Sequence, residues 1–329
     1  MGKGIWLAEM KTILVTGAGG SGGSFFCDYL ANNHPALELH GLIRWHSTST
    51  DKNIASLKGK IHLQEVDLGD FSSVMKALIS IAPDAVVHFA AHANVRSSFD
   101  NPLSVLANNV TGTSNLLEAM KMACPKSRLI LISTSEVYGQ VDPKNIPIKE
   151  DCPLNPASPY AVSKVTQDLL GQVYWLAYKL PVIRTRMFTY LNPRRADLFA
   201  TSFALQVARI ELGKQKVLQH GNLDSMRTLI DIRDAMSAYW AALNRGIPGE
   251  VYNIGGTATM TVGQFLSKLI ALADCEIETQ ENPSLLRPAD VTLQVPDTSH
   301  FFAATGWIPE YDINDSIQYL LDDCRRQVV

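Results

Sequence analysis

The sequence predicts an α/β protein: a doubly wound parallel sheet with a smaller C-terminal α/β lobe. Three observations predict it. From Lys11 onward, short apolar runs alternate with amphipathic stretches of helical period. The first apolar run empties into a glycine-rich turn, TGAGGSGG, over Thr16–Gly23. The chain has 329 residues, 46% hydrophobic and 19% charged, which is ample core material for one large α/β domain and an attachment.

Composition also excludes several function classes. Lys and Arg number 29 against 32 Asp and Glu, a net charge of −3, so no global field favours nucleic acid. No stretch approaches the ~18 uninterrupted apolar residues of a membrane helix. The five cysteines are scattered and contain no C-x-x-C, which argues against disulfides, against zinc and for a reducing compartment, the cytoplasm. No carboxylate or histidine cluster suggests any other metal. His88 and His92 flank the fourth strand without ligand spacing and suit packing or a cofactor loop. The first ten residues, MGKGIWLAEM, read as a leader or disordered extension, since a second Met stands at position 10 just before the first strand.

The elements follow in order. TILVTGAGG is a strand running into the turn, and SFFCDYLANN is the helix after it. LELHGLIR and IHLQEVDL are the second and third strands. FSSVMKALISIA is helical by the spacing of Val74, Leu78 and Ile79. DAVVHFAA is a buried strand, NVTGTSNLLEAMKMA a helix and RLILISTS another buried strand. Such alternation gives βαβ units with helices on both faces of the sheet. After about Arg186 the alternation weakens. LNPRRADLF is a Pro/Arg-rich segment, SFALQVARIELG a helix and HGNLDSMRTLIDIRDA a basic segment. Another helix, the strand EVYNIGG, the amphipathic helix TVGQFLSKLIALA and a loop-rich tail ending in a last helix complete the chain. Residues 11–186 therefore form a dinucleotide-binding domain, and residues 187–329 a substrate-binding lobe interleaved with it.

The turn carries the first chemistry. Gly17, Gly20 and Gly23 stand at T-G-x-x-G-x-x-G spacing, with Ser21 and Gly22 between them. Glycines let the backbone turn tightly and approach a pyrophosphate, whose charge the helix N-terminus meets. An acidic residue at the end of the second strand serves the ribose of NAD, whereas a cation suits the 2′-phosphate of NADP. The strand ends in Leu42-Ile43-Arg44 with no carboxylate before Asp51, so Arg44 favours NADP over NAD. Asp67 and Leu68, after the third strand, are placed to meet the adenine edge.

The second chemistry is S-P-Y-A-V-S-K. Its Y-x-x-x-K spacing puts Tyr160 and Lys164 on one helical face. A nearby ammonium favours phenolate and lets the tyrosine act as a base toward a substrate hydroxyl. The strand end Ser133-Thr134-Ser135-Glu136 faces the ligand crevice of a parallel sheet. There Thr134 can bond a sugar hydroxyl, and Glu136 is placed to remove a proton α to a ketone.

Together these residues resemble the extended short-chain dehydrogenase/reductase family, in its nucleotide-sugar branch. The resemblance covers nearly all of residues 11–327. It rests on the glycine turn, HFAAHANVRSSFDNP at His88, NVTGTSNLLEA at Asn109, SPYAVSK at Ser158 and LLRPADV at Leu285. Within the branch the chain looks most like the GDP-mannose 4,6-dehydratases and the related GDP-4-keto-6-deoxymannose reductases. GGSGGSFFCDYL, STSEVYG, HGLIR and NPRR are dehydratase-like, whereas NPSLLRPADV leans toward the reductase. The chain departs from the pattern in three places. Thr189 stands for an asparagine, Trp45 for a second basic residue after Arg44, and Thr228 for the aspartate after Arg227.

The resemblance implies a Rossmann-type fold and a 4,6-dehydratase that turns an NDP-hexose into its 4-keto-6-deoxy sugar by internal hydride transfer through bound NADP. Tyr160, helped by Lys164, would take the proton of the sugar 4-OH. Glu136 would take the C5 proton, and water would leave C6 beside Thr134, Ser135 and Glu136. Ala90 and Ala91 would line the cofactor cleft. Arg227, Arg287 and Arg195 would hold the diphosphate. The alternatives are an NADPH-dependent 4-reductase and an NDP-sugar 4-epimerase; the epimerase needs no C5 base. Family members assemble through paired helices, so a homodimer or homotetramer is expected, built on the helices beginning near Asn109 and Tyr160.

Overall fold

The computed structural model describes residues 10–44, 51–286 and 289–329. The first half of the chain runs β1 (Thr12–Thr16), α1 (Ser21–Asn33), β2 (Glu38–Ile43), α2 (Asp51–Ile54), β3 (His62–Glu65), α3 (Phe71–Ile81) and β4 (Ala85–His88). Next come α4 (Val95–Asp100), α5 (Pro102–Leu106), a π-helical turn at Ala107–Thr111, α6 (Gly112–Ala123) and β5 (Arg128–Thr134). The long helix α7 (Pro159–Tyr178) leads into β6 (Val182–Met187). The remainder is β7 (Thr189–Leu191), α8 (Phe199–Glu211), β8 (Val217–His220), β9 (Met226–Asp231), α9 (Ile232–Arg245), β10 (Val251–Ile254), β11 (Ala258–Thr261) and α10 (Val262–Ile270). Then follow β12 (Glu278–Glu281), β13 (Leu293–Gln294), α11 (Ser299–Thr305) and α12 (Ile313–Val328).

Alternation along the strands splits the core into two layers, because successive side chains leave a strand on opposite faces. Ile13, Val15, Val87, Ile130 and Ile183 point to one face and pack with Phe26 and Leu30 of α1 and Tyr239 and Leu243 of α9. Leu14, Val86, Leu129, Leu131 and Val182 point to the other and pack with Val74 and Leu78 of α3 and Leu116 and Met120 of α6. The result is a seven-stranded parallel sheet in the order β10-β6-β5-β4-β1-β2-β3, helix-covered on both faces, as the sequence predicts. The order reverses between β1 and β4, so the crevice for a ligand opens at the carboxyl ends of those strands.

The C-terminal lobe has its own core, in which Phe203, Val207, Phe265 and Leu320 pack together. Its central sheet has β9 between β11, β13 and β7. Two elements beyond residue 186 nonetheless complete the first domain: β10 extends its sheet beside β6, and α9 covers its face. The segment read as merely basic, HGNLDSMRTLIDIRDA, contains β9 and the start of α9. The polar residues of β9 hide the strand because each is buried with an internal partner. Arg227 donates to the carbonyls of Met226 and Val291, Thr228 meets Thr259 across the strands at 2.7 Å, and Asp231 caps α9 through Arg233 N. Among the described residues no helix is long and apolar enough to cross a membrane.

Candidate active site

The glycine turn can serve as a phosphate cradle because of what α1 lacks. Its N-cap, Gly20, offers no side-chain cap, and its first turn has no acidic residue, so the backbone N–H groups face the crevice. Gly17 adopts φ +68°, and a Cβ there would sit 2.9 Å from the Ala90 backbone. A Cβ on Gly23 would run into the Gly17 carbonyl. The turn thus packs against its own helix and the loop after β4 at a distance that only glycine permits.

Two adjoining cavities follow from this cradle. One, of about 160 Å³, lies over the ends of β1 to β4 and is lined by Gly17, Gly20, Arg44, Asp67, Leu68, Ala90 and Ala91. Arg44 Nη1 donates to Asn108 Oδ1 at 3.1 Å, and its Nη2 lies 3.4 Å from His92 Nε2. Asp67 Oδ1 accepts from Gly69 N at 2.8 Å, which stiffens the loop after β3. The other cavity, of about 230 Å³, shares Gly17, Gly20 and Ala91 and adds Ser21, Gly22 and Gly23. The trough has the shape and donor set for a dinucleotide laid over the turn.

The catalytic candidates Thr134, Ser135, Glu136, Tyr160 and Lys164 line this second cavity. α7 places the last two. Ser158 caps the helix by accepting from Ala161 N at 3.0 Å, Pro159 fixes its first turn, and Tyr160 and Lys164 follow one turn apart. Lys164 Nζ donates to the Ile132 carbonyl on β5 at 2.5 Å. Burial lowers its pKa to about 8, against the opposing charge of Asp168. Asp168 accepts from Arg184 and Arg186 at 3.0 and 2.9 Å and so ties α7 to β6.

The phenol of Tyr160 differs from the expectation that its lysine would lower it. Burial raises its pKa well above the ordinary value, and the largest opposing effect is the Arg195 charge. Tyr160 has only 7% of its surface exposed, so desolvation of the phenolate outweighs the cations. Thr134 Oγ1 accepts from Glu136 N at 3.3 Å, and Glu136 Oε1 accepts from Gln294 Nε2 at 3.3 Å.

Arg195 and Arg227 both line this cavity and a third one, of about 360 Å³, beside α8 and the loop before β9. They therefore stand at the junction between the two. Arg195 is anchored by Asp197 at 3.0 Å and by the Ala93 carbonyl. Arg287 and Trp45 lie outside the described residues.

Several contributors escape a reading of the sequence. Asn109, in the π-helical turn, donates to Ser163 Oγ at 2.8 Å, and Ser163 donates to the Tyr160 carbonyl at 2.6 Å, so the turn holds the first turns of α7. Gln294 comes from a two-residue strand 158 positions beyond Glu136, and Arg96 bonds the Ser284 carbonyl at the rim of the third cavity. Asn109, Ser163 and Arg96 lie in the segments NVTGT, SPYAVSK and HFAAHANVRSSFDNP, but nothing local in the sequence marks Gln294. Among the described residues no cluster of three or more His, Cys, Asp or Glu could hold a metal ion.

The family model described as GDP-mannose 4,6 dehydratase matches residues 14–320 of this chain. The chain belongs to that family. GDP-6-deoxy-D-mannose reductase of Pseudomonas aeruginosa is 33% identical over 75% of this chain and 82% of its own. GDP-mannose 4,6-dehydratase of Yersinia enterocolitica is 28% identical over 93% of this chain and 91% of its own. Among solved structures, RMD from P. aeruginosa complexed with NADPH superposes with a TM-score of 0.82 at 28% identity, covering 96% of this chain and 99% of that one. Thermus thermophilus UDP-glucose 4-epimerase, complexed with NAD, gives 0.85 at 27% identity, covering 95% and 99%. These relatives of the GDP-mannose 4,6-dehydratase family are all nucleotide-sugar enzymes, as is the chain itself.

Proposed function

We propose that this chain is a GDP-mannose-type nucleotide-sugar 4,6-dehydratase. The observation that carries the reading is a carboxylate, Glu136, in the same cavity as the Tyr160–Lys164 pair. Tyr160 Oη takes the proton of the sugar 4-OH, and the Lys164 ammonium supports the phenolate from one helical turn away. Glu136 takes the C5 proton, which a ketone at C4 makes acidic, and passes it to the C6 hydroxyl, which leaves as water; Tyr160 then returns a proton to C5. Thr134 bonds the sugar beside them. Arg195, Arg227 and Arg287 hold the diphosphate with charge-assisted bonds. A bound nicotinamide dinucleotide, held over Gly20–Gly23, Asp67, Leu68, Ala90 and Ala91, supplies the hydride acceptor for C4 and the donor for C6. Arg44 supports NADP over NAD, and the NADPH complex of the P. aeruginosa relative agrees with that choice. All five cysteines are free thiols, which suits the cytoplasm.

One observation favours a second reading, a 4-reductase that consumes NADPH. Identity to the P. aeruginosa reductase is 33%, above the 28% to the Yersinia dehydratase. Incubation with GDP-mannose and catalytic NADP, without reductant, separates the two. Loss of one water with no net cofactor turnover is the expected result. Intact GDP-mannose, together with stoichiometric NADPH oxidation by a GDP-4-keto-6-deoxymannose, would instead make the chain a reductase.

The same helix that carries Tyr160 supports a homodimer. Val162, Leu169, Val173 and Leu176 form one exposed apolar stripe along α7, beside Leu103 of α5, which is 80% exposed. Light scattering is expected to give twice the chain mass. The double variant Val173→Glu, Leu176→Glu is expected to give a monomer with an unchanged circular dichroism spectrum. A wild-type monomer at micromolar concentration would dispose of the interface.

A further inference from the structure

The cavity over the ends of β1 to β4 contains a second polar group that the NADP reading does not use. His92 reaches it from the loop after β4 and Asn108 from the π-helical turn, and both meet the Arg44 guanidinium at the end of β2. We propose that His92 is a second, titratable ligand of the 2′-phosphate of NADP, acting beside Arg44. The inference rests on the NADP reading above.

The contact itself carries the argument. At 3.4 Å from Arg44 Nη2, His92 Nε2 must be a neutral acceptor, since a second proton would set two cations face to face. A dianion that contacts both reverses that preference. Asn108 orients the guanidinium: its Oδ1 accepts from Nη1, and its own amide nitrogen is held by Asn109 Oδ1 at 3.0 Å. Nη2 is left toward the imidazole. Asn109 also clamps the His92 backbone from both sides, accepting from His92 N at 2.7 Å and donating to His92 O at 3.1 Å, so the ring stays at this rim.

Nothing else within reach performs this task among the described residues. Arg44 has no carboxylate partner there, and Asp67 of the same cavity is engaged with Gly69 N. On its other side His92 lines a cavity with Arg194, Arg195 and Asp197. Arg194 is paired with Asp28, and Arg195 with Asp197. Burial, and then the Arg44 charge, hold the imidazole below its ordinary value, so it is neutral before the phosphate arrives.

The linkage sign follows. A phosphate raises the imidazole pKa in the complex, so NADP binding takes up a proton. The extra affinity is present at low pH and is lost as pH rises through the pKa of the complex. The 2′-phosphate itself takes a proton near pH ~6, so the informative window lies above about pH 6.5.

Titration calorimetry on the whole protein tests this with NADP and NAD at about pH 6.5, 7.5 and 8.5, in buffers of different ionisation heat. NADP affinity is expected to weaken about tenfold across the window, with proton uptake on binding, while NAD affinity stays flat. His92→Gln keeps a polar side chain that cannot titrate. It should abolish both the slope and the proton uptake for NADP and leave NAD affinity alone. A variant that follows the wild-type slope, or wild-type NADP affinity that is flat with no proton uptake, overturns the role of His92 and leaves the NADP reading standing. Tight NAD binding with NADP rejected at every pH overturns both. If the variant does not fold, the difference in proton uptake between NADP and NAD in the wild type still tests the proposal, and no difference overturns it.

Discussion

Tyr160→Phe lowers kcat by about a thousandfold while KM for the sugar nucleotide moves by less than about threefold. The substitution removes one oxygen and keeps the ring. The ring is nearly buried at the head of α7, and the cap at Ser158 and the Ser163–Asn109 link do not involve the phenol. Fold and dinucleotide binding should therefore survive, which thermal melting and cofactor titration would check. What disappears is the base for the 4-OH. Burial raises the phenol pKa, so the basic form is scarce near neutrality in the free protein, and rate should climb with pH up to about 8, above which the supporting Lys164 ammonium loses its proton. The variant should show no such climb. A kcat within about threefold of wild type would mean that another group handles the proton and that Tyr160 only packs. The result is the same for the dehydratase and the reductase, since both move a proton at O4. This variant tests the site rather than the reaction class.

What was legible in the sequence was local. The turn at Thr16–Gly23, the Tyr160–Lys164 pair and Thr134–Glu136 each lie within a few contiguous residues. Each is tied to the end of a strand or the start of a helix, so topology brings them to one crevice without further information. The sheet was legible for the same reason, because its central strands are buried on both faces and read as apolar runs. Strand β9 was not, because Arg227, Thr228 and Asp231 break the apolar run and find their partners only in the folded lobe. Gln294 beside Glu136 and His92 beside Arg44 depend on contacts across the fold that no local spacing encodes. Electrostatics was the least legible layer. The Tyr-x-x-x-Lys spacing suggests a lowered phenol, but only the structure reveals how fully both groups are desolvated, and burial outweighs the neighbouring charges at each.

Glu136→Gln separates the two reaction classes. A dehydratase must move a proton at C5, and in the present geometry Glu136 is the carboxylate that shares the cavity with Thr134 and Tyr160. Glutamine keeps the size of the side chain and an oxygen able to accept from Gln294 Nε2, so the strand end should hold its shape. It cannot act as a base. Water loss from GDP-mannose should fall by roughly 10²–10⁴-fold, the range that a positioned acid or base commonly contributes. In deuterated water the wild type should place one deuterium at C5, because the proton removed there departs with the water and C5 is reprotonated from a group that exchanges with solvent. The variant should show neither the label nor the loss of water. Reduction of a 4-keto-6-deoxy sugar moves no C5 proton, so a reductase would keep most of its NADPH-dependent rate after the same substitution. Full dehydration by the variant would place the base elsewhere in the cavity. A variant that loses both activities, with its fold intact, would make Glu136 a binding residue for the sugar, since no C5 chemistry is shared by the two reactions.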